Sequence, residues 1–411
     1  MPTKPFDMTR STRLAVFAAL AALLQQAQAQ TDDTTPFYAG GSLGATHVSN
    51  VFRQANSSNS DTVISGGLLG GVDTRLGRQH LKFDGSLNNN RYSTNRELNY
   101  RSHTLLGTLN WETAGNLSGV LSAKSDRSLA DFNASGVRQI FKKNIETNDE
   151  YRAIARLGVG TRYWLESGWT HRRRNFTAWE YDRFIFRQNM GSLGIHATPG
   201  SDVQIGVVVR RTKGHNPRYP DGTVVSVDGE NRPGTSPDDY TRDDVDFTTR
   251  WSLGGHSTLR TRISRSRTQH SLDVRRDMSG TTGAVGLDWR PTAKLQFNLD
   301  YARDTAQESV IQATDIDRMY TSWQMGGTYL LTSKISLNAR LSENKARRTS
   351  ESIEVILNRD DAKSQTLGLR WAATRNFSIG CQYNHVSRDR SVVAANYSAS
   401  SYGCIGQAIV Y

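Results

Sequence analysis

Apolar and polar residues alternate along most of the chain, and this two-residue period predicts strands with one apolar face and one polar face. The pattern is clearest between Gly283 and Tyr301, where Val285, Leu287 and Trp289 alternate with small or polar residues before a short turn that contains proline. A second alternating strand follows that turn directly. Similar strands that end in an aromatic residue precede other short turns, so the sequence predicts one hairpin repeated many times.

We assign about 18 strands by this period. They start near residues 37, 61, 80, 100, 117, 150, 162, 183, 202, 240, 257, 279, 295, 318, 335, 363, 376 and 401. Short turns alternate with longer segments at about 126 to 149, 212 to 239, 305 to 317 and 344 to 362. Short periplasmic turns and long extracellular loops are typical of outer-membrane barrels. The predicted fold is therefore all-β, a transmembrane antiparallel up-and-down β-barrel in the bacterial outer membrane.

The composition fits a barrel better than a helical membrane protein. Only 36% of the residues are hydrophobic and the mean hydropathy is -0.58, so we expect no helix that crosses a membrane. In a barrel only alternate residues face lipid, and the average hides the apolar face.

The first residues have the features of a secretory signal peptide. Lys4, Arg10 and Arg13 form a basic start, Leu14 to Leu24 is a short apolar run, and Ala27-Gln28-Ala29 matches a cleavage site. We therefore predict a signal peptide over residues 1–29 and a single barrel domain over residues 30–411 of this Gram-negative protein.

In most of the predicted strands the apolar residues occupy odd positions. Aromatic residues in the same phase, most of them beside short turns, predict a girdle at the membrane surface. These residues are Phe37, Trp111, Tyr163, Trp251, Trp289, Tyr329, Trp371 and Tyr411. Ile405 and Ile409 extend the apolar phase of the last strand to Tyr411, although Gln407 interrupts it.

Even positions are then expected to line the lumen. The predicted lining bases are Lys82, Lys124, Arg152, Arg156, Arg162, Arg210, Arg250, Arg260, Arg262, Arg290, Arg318, Arg340 and Arg370. The acids assigned to the same face are about half as many, and rings of charge set pore selectivity, so the lining predicts a preference for anions. The alternative is that these charges pair across neighbouring strands and only solvate a wide lumen.

The formal net charge of +12 suits anionic partners. We expect outer-membrane lipid and lipopolysaccharide to contact the protein, and the run Arg172-Arg173-Arg174 near the outer rim either meets lipopolysaccharide phosphates or is simply solvated. Nucleic acid is not an expected partner of an exported chain.

No catalytic or metal-binding motif is present, so we predict neither an enzyme nor a cofactor. The acidic stretch from Asp221 to Asp239 has no ligand spacing and is interpreted as a solvated loop rather than a Ca²⁺ site. Cys381 and Cys404 lie in the last hairpin of an exported protein, where a disulfide persists. Their parity places them on opposite faces, so a bridge requires a bulge. The sequence leaves both states open.

Two segments carry a resemblance to a known family. The start PFYAGGSLGATHVSNVFR, and the segment that runs from RSLADFNASG to RQIFKKNIETND, resemble the EpsL-type outer-membrane β-barrel proteins associated with exosortase and exopolysaccharide biosynthesis loci. The resemblance implies a role in moving a newly made polysaccharide across the outer membrane, with periplasmic export machinery as a candidate partner.

Three functions follow as hypotheses. The first is a passive, basic-lined conduit that exports an extracellular polysaccharide. The second is a general or anion-selective diffusion porin for small solutes. The third is a non-conducting barrel that binds or assembles a surface polymer.

Overall fold

A computed structural model describes residues 35–55, 59–134, 137, 139–227, 229–305, 319–347, 359–390 and 396–411. The predicted signal peptide, residues 1–29, lies outside these residues and remains a prediction. No helix in the described part of the chain is long and apolar enough to cross a membrane.

The described residues form 18 strands in a single sheet. Three short 3-10 helices, Arg96–Leu98, Trp179–Phe184 and Val274–Arg276, lie in the connections between them. The strands are β1 (Phe37–Val48), β2 (Asp61–Leu76), β3 (Gln79–Tyr92), β4 (Tyr100–Glu112), β5 (Leu117–Leu129), β6 (Ile145–Leu157), β7 (Tyr163–Phe176), β8 (Phe186–Ala197), β9 (Val203–Val227), β10 (Glu230–Leu253), β11 (Ser257–His270), β12 (Met278–Thr292), β13 (Leu295–Thr305), β14 (Met319–Leu330), β15 (Ile335–Arg347), β16 (Arg359–Ala372), β17 (Phe377–Arg390) and β18 (Tyr397–Val410).

The sheet closes on itself. Each strand pairs antiparallel with its neighbour in the chain, and β1 pairs with both β2 and β18. Closure removes the free edges whose unpaired backbone groups could not be satisfied in lipid. The start of β1 and the end of β18 lie at the end of the barrel that carries the short turns, which is the periplasmic end of such proteins. The predicted all-β barrel, its strand number and its antiparallel order are confirmed, and the protein is an outer-membrane β-barrel.

The outer wall follows the predicted alternation. On β9, for example, Val207 and Val209 point outward, pair with outward residues of the adjacent strands and are about half exposed in the absence of lipid. Leu193 of β8 and Phe247 of β10 continue the same apolar surface. An apolar band of this kind is stable only when hydrocarbon covers it.

One predicted loop is wrong. Residues 212 to 239 do not form a loop, because β9 and β10 continue through them as strands of 25 and 24 residues. The register between them shifts at Pro233/Thr235 and at Ser236/Asp238. The alternation fades here because the hairpin projects beyond the apolar band, so its faces need not differ in polarity.

The last strand has the opposite phase to the one predicted. Ile405 and Ile409 are 6% and 7% exposed and point inward, as does Gln407, while Tyr402 and Val410 point outward. Gln407, which interrupted the predicted apolar face, therefore sits on the polar side where its amide is expected.

The corrected phase explains the cysteines. Cys381 and Cys404 are direct cross-strand partners in β17 and β18, and they form a disulfide on the outer wall beside Leu369. Their register runs without interruption, so the bridge needs no bulge.

Seven of the predicted girdle residues lie on the outer wall near the short turns: Phe37, Trp111, Tyr163, Trp251, Trp289, Tyr329 and Trp371. Tyr411 is different. Its ring centroid is 6.4 Å from that of Tyr38, whose hydroxyl donates to Asp84 on the inner wall at 2.7 Å. Tyr411 therefore belongs to the periplasmic mouth of the lumen, because the phase of β18 is inverted.

Candidate functional site

The candidate site is the lumen, and ten of the predicted lining bases point into it. The strand register places Lys82, Lys124, Arg152, Arg156, Arg210, Arg250, Arg260, Arg262, Arg340 and Arg370 on the inner wall. Three others differ. Arg162 lies in the exposed periplasmic turn before β7, Arg290 lies at the irregular periplasmic end of β12, and Arg318 is outside the described residues.

Most of these bases have carboxylate partners on neighbouring strands. Arg210 donates to both carboxylate oxygens of Asp246, at 2.5 and 3.0 Å. Arg242 donates to Asp244 at 2.9 Å and lies 3.6 Å from Asp304, which also binds Arg262. These side chains form what we call the ion-pair ladder, a buried polar surface along β9 to β13.

A second set of pairs lies on β6 and β7. Arg156 donates to Glu166 at 2.7 Å, Arg172 donates to Glu150 at 2.8 Å, and Arg174 binds Glu146. Glu146 belongs to a stretch that the sequence assigned to a loop, so its inward phase was missed, whereas Glu150 lies at the predicted start of a strand. Charges in the described lumen are therefore more nearly balanced than the predicted excess of bases, and most of the bases are paired, as the alternative interpretation held.

Two of the predicted lining bases differ from the rest. Arg152 on β6 and Arg250 on β10 make no ion pair within the described residues. Arg250 is the direct cross-strand partner of Arg260, which is itself paired with Asp288 at 3.0 Å. Arg152 and Arg250 are therefore positive charges without a bound carboxylate on the inner wall.

The described part of the connection from β5 to β6, residues 130–134, 137 and 139–144, lies across the extracellular half of the interior. The side-chain oxygen of Asn133 accepts a hydrogen bond from Arg390 at 2.6 Å. Its backbone oxygen accepts from Arg390 at 2.7 Å and from Arg388 at 3.1 Å. Both arginines point inward from β17, which lies six strands away from β5 around the closed sheet. The connection, which we call the crossing loop, therefore spans part of the barrel cross-section.

Further bonds hold the crossing loop on both sides. The Asn133 amide donates to the carbonyl of Arg53 at 2.8 Å, and Gln139 donates to the carbonyl of Phe52 at 2.7 Å. The Tyr181 hydroxyl donates to the carbonyl of Asp131. Arg388 is itself fixed by Asp360, to which it donates at 2.6 and 2.7 Å. The loop is thus bonded to the β1–β2 connection, the β7–β8 connection and the wall.

Beneath these polar contacts lies an apolar core built from loops. Phe132 and Ile140 of the crossing loop pack in one cluster with Phe52, Tyr181 and Phe184, all of them buried. Phe52 and Phe132 meet edge to face with ring centroids 5.1 Å apart. Apolar burial of this size orders the loops without strand pairing.

Asp182 lies at the junction between the β7–β8 connection and the projecting β9–β10 hairpin. Its Oδ1 is 3.4 Å from Arg218. Burial raises the pKa of Asp182 to about 6, although Arg218 opposes the shift. The junction therefore carries a carboxyl group that titrates near neutral pH.

No family model matches the chain, and no curated protein matches it. Several solved structures align with most of the chain. The structure of OpdK from Pseudomonas aeruginosa with vanillate is 10% identical, with a TM-score of 0.47 over 91% of this chain and 99% of that chain. OccK2 (OpdF) from the same organism, in complex with glucuronate, is 9% identical, with a TM-score of 0.46 over 91% and 98% of the two chains. A BenF-like porin from Pseudomonas fluorescens Pf-5 is 8% identical, with a TM-score of 0.45 over 91% and 99%.

The crossing loop is the feature that sequence reasoning missed. Its signal was present as Phe132, Ile140 and Phe141, large apolar residues in a segment that was interpreted as a loop. The same connection lies within the second segment of the resemblance. Its partners Arg388 and Arg390 gave no signal, because the contact joins residues that are 257 positions apart.

Proposed function

We propose that the protein is a water-filled diffusion channel for small hydrophilic solutes in the outer membrane. The observation that carries the proposal is the crossing loop, bonded from β5–β6 to Arg388 and Arg390 on the far wall. A barrel of 18 strands leaves room for an aqueous channel. A loop fixed across that space by charge-assisted bonds reduces its bore and sets a size limit.

The polar inner wall supports the same function. The partly exposed ion pairs Arg156–Glu166 and Arg172–Glu150 on β6 and β7 give solutes hydrogen-bonding groups of both signs, and Arg152 and Arg250 add a modest attraction for anions. Small anionic solutes are therefore the preferred substrate class. This preference does not require all thirteen of the predicted lining bases to be unpaired.

Export of an extracellular polysaccharide rests on the family resemblance. A polymer is wider than a small solute in solution, so its passage would require release of the crossing loop from Arg388 and Arg390. A non-conducting surface barrel is the remaining alternative. Both are outcomes of the experiment that follows.

The test is conductance in planar bilayers, combined with swelling of liposomes in neutral sugars of increasing size. The intact chain should conduct steadily and admit monosaccharides faster than longer oligosaccharides. Arg388→Gln with Arg390→Gln should raise the conductance and the size limit, because Asn133 loses its donors. Lys82→Gln with Lys124→Gln removes two lumen charges without touching the loop and should leave the size limit unchanged.

Silent bilayers together with sugar-impermeable liposomes would reject the channel. Equal entry of all oligosaccharide sizes would reject the crossing loop as the constriction. If deletion of the gene retained surface polysaccharide inside the cell while the protein excluded small sugars, the export hypothesis would replace the channel proposal.

A further inference from the structure

The outer wall changes from apolar to basic toward the extracellular end of many strands. On β8 the outward positions run from Ile195 and Leu193 to Arg187, and on β9 they run from Val209 to Lys213. The belt continues on other strands with the exposed, outward residues Arg101, Arg127, Arg265 and Arg303. The border between lipid tails and headgroups in the outer leaflet falls at this level, because the apolar band ends there.

The run Arg172-Arg173-Arg174 divides between the two faces of β7. Arg172 and Arg174 point inward and are paired with Glu150 and Glu146. Arg173 points outward and is exposed. The inward arginines of β7 therefore have carboxylate partners, whereas the outward Arg173 makes no ion pair in the described part of the chain.

Arg173 has another arginine as its direct cross-strand partner. Arg187 on β8 faces it across the β7–β8 ladder, and it is also exposed. Among the described residues Arg187 makes no ion pair either. Like charges directly opposite one another on a sheet are destabilising, so this pair costs stability unless an anion neutralises it.

A third cation completes the cluster. Lys213 of β9 is exposed. The direct cross-strand partner of Arg187 on β9 is His215, so Lys213, two residues before it, is the diagonal neighbour of Arg187. On its other side Arg173 has an acid, Asp149 of β6, as its direct cross-strand partner. No ion pair joins the two among the described residues, and the Asp149 carboxylate accepts a hydrogen bond from Ser125 at 2.7 Å. Arg211, one outward position below Lys213, is already neutralised by Asp243 at 2.6 Å.

From this arrangement we infer that Arg173, Arg187 and Lys213 bind a phosphate group of a lipopolysaccharide molecule in the outer leaflet. Two guanidinium groups and an ammonium group match the charge and the bidentate geometry that a phosphate monoester prefers. The apolar residues directly below, Leu193 and Val209, give its acyl chains a surface to lie against. The inference is independent of conduction through the lumen.

The binding test uses the full chain in nonionic detergent and diphosphoryl lipid A as the probe. Arg173→Gln, Arg187→Gln and Lys213→Gln combined should weaken binding by about tenfold or more, because charge-assisted bonds to phosphate are lost. Fully dephosphorylated lipid A should bind the unaltered protein about as weakly. The matched control, Arg78→Gln with Lys294→Gln and Lys334→Gln, removes the same charge from exposed periplasmic turns and should bind as the unaltered protein does.

A second measurement separates a lipid site from a structural role. Arg187→Gln alone should raise the midpoint of thermal unfolding in detergent without lipid, since the like-charge contact is relieved, and should lower the affinity for diphosphoryl lipid A. A lower midpoint with unchanged affinity would overturn the inference. Equal affinity for phosphorylated and dephosphorylated lipid A would do the same, and so would displacement of the probe by low-millimolar inorganic phosphate, which would indicate a site for the free ion.

Discussion

The two sides of the barrel interior are ordered by different interactions. Over β1 to β7 the extracellular end is closed by an apolar core of loops, in which Tyr181 and Phe184 are each 1% exposed. Over β9 to β13 the wall is a ladder of ion pairs in which Arg242 is equally buried, at 1%. One side uses apolar burial to place a loop across the lumen, and the other uses paired charges to keep its own wall in place.

The two sides have different roles: the loop side narrows the lumen, and the ladder side forms its wall. A loop that leaves the wall loses strand pairing and must bury apolar side chains to be ordered. Aromatic residues from several connections supply that apolar surface. A wall that must remain polar cannot use that solution, so its arginines are neutralised by aspartates on the adjacent strand, on the same strand or two strands away. Damage to the first side should alter the bore of the channel, whereas damage to the second side should alter the stability of the barrel.

The largest effect is expected on the ion-pair ladder. Asp304→Ala leaves Arg242 and Arg262 without their shared carboxylate, and loss of one partner from a buried ion pair costs about 3–5 kcal/mol. The loss of unfolding free energy would be measured by urea titration, with the folded form monitored by its mobility on gels. Asp243→Ala, which breaks the exposed Arg211–Asp243 pair on the outer wall of the same strands, is the control and should change little. Similar losses in both variants would contradict the contrast between the ladder and the outer wall.

The next largest effect is expected in the loop core. Tyr181→Ala removes a buried aromatic side chain and the bond to the Asp131 carbonyl, so local packing should weaken by about 3 kcal/mol. Amide hydrogen exchange of residues 130–134 should accelerate, and the mean conductance should rise. Phe141→Ala is the control from the same loop, because this ring is 52% exposed. Unchanged exchange in Tyr181→Ala would mean that the polar bonds of Asn133 hold the loop alone.

The barrel wall was more accessible to sequence reasoning than the loops that cross its interior. Strands β1, β2, β4, β5, β11, β13 and β15 begin at the predicted residues, because a two-residue period and turn chemistry are both local. The inward phase of Arg260 and Arg262 follows from that period. The neutralisation of Arg262 by Asp304 was accessible in principle, since both residues occupy even positions, the parity assigned to the lumen.

The failures share a physical cause. The predicted phase of β18 was wrong because Ser, Gly and Ala, which have little preference for lipid or water, fill half of its positions, so the prediction rested on Ile405 and Ile409. The crossing loop depends on Asn133 meeting Arg388, a contact between residues 255 positions apart that no local pattern contains. The long β9–β10 hairpin continues by backbone pairing where side chains carry no alternating signal.

A smaller effect is expected at the junction between the loop core and the projecting hairpin, whose local stability should depend on pH. Burial raises the pKa of Asp182 to about 6, so in the folded state its neutral form is favoured relative to the unfolded chain. The junction should therefore be fully stable below the ordinary carboxyl pKa and should lose about 1 kcal/mol or less as the pH rises to about 6, after allowance for solvent screening. Hydrogen exchange of residues 179–185 at pH 4.5 and pH 7 would detect this loss. Asp182→Asn should abolish the pH dependence, and persistence of that dependence would assign it to another group.

The smallest effect concerns selectivity, and it compares paired with unpaired arginines on the inner wall. Arg152→Gln with Arg250→Gln removes two inward bases that make no ion pair within the described residues. A unit charge about 8 Å away in water contributes about 0.5 kcal/mol, so the anion-to-cation permeability ratio should fall roughly twofold. Reversal potentials in a salt gradient measure the ratio. The matched control neutralises a complete pair on β6 and β7, Arg156→Gln with Glu166→Gln, and it leaves the net charge of the lumen unchanged. If the control lowered the ratio as much as Arg152→Gln with Arg250→Gln does, selectivity would depend on the geometry of the wall rather than on its unpaired charge, and the ion pairs of β6 and β7 would have to be counted as part of the filter.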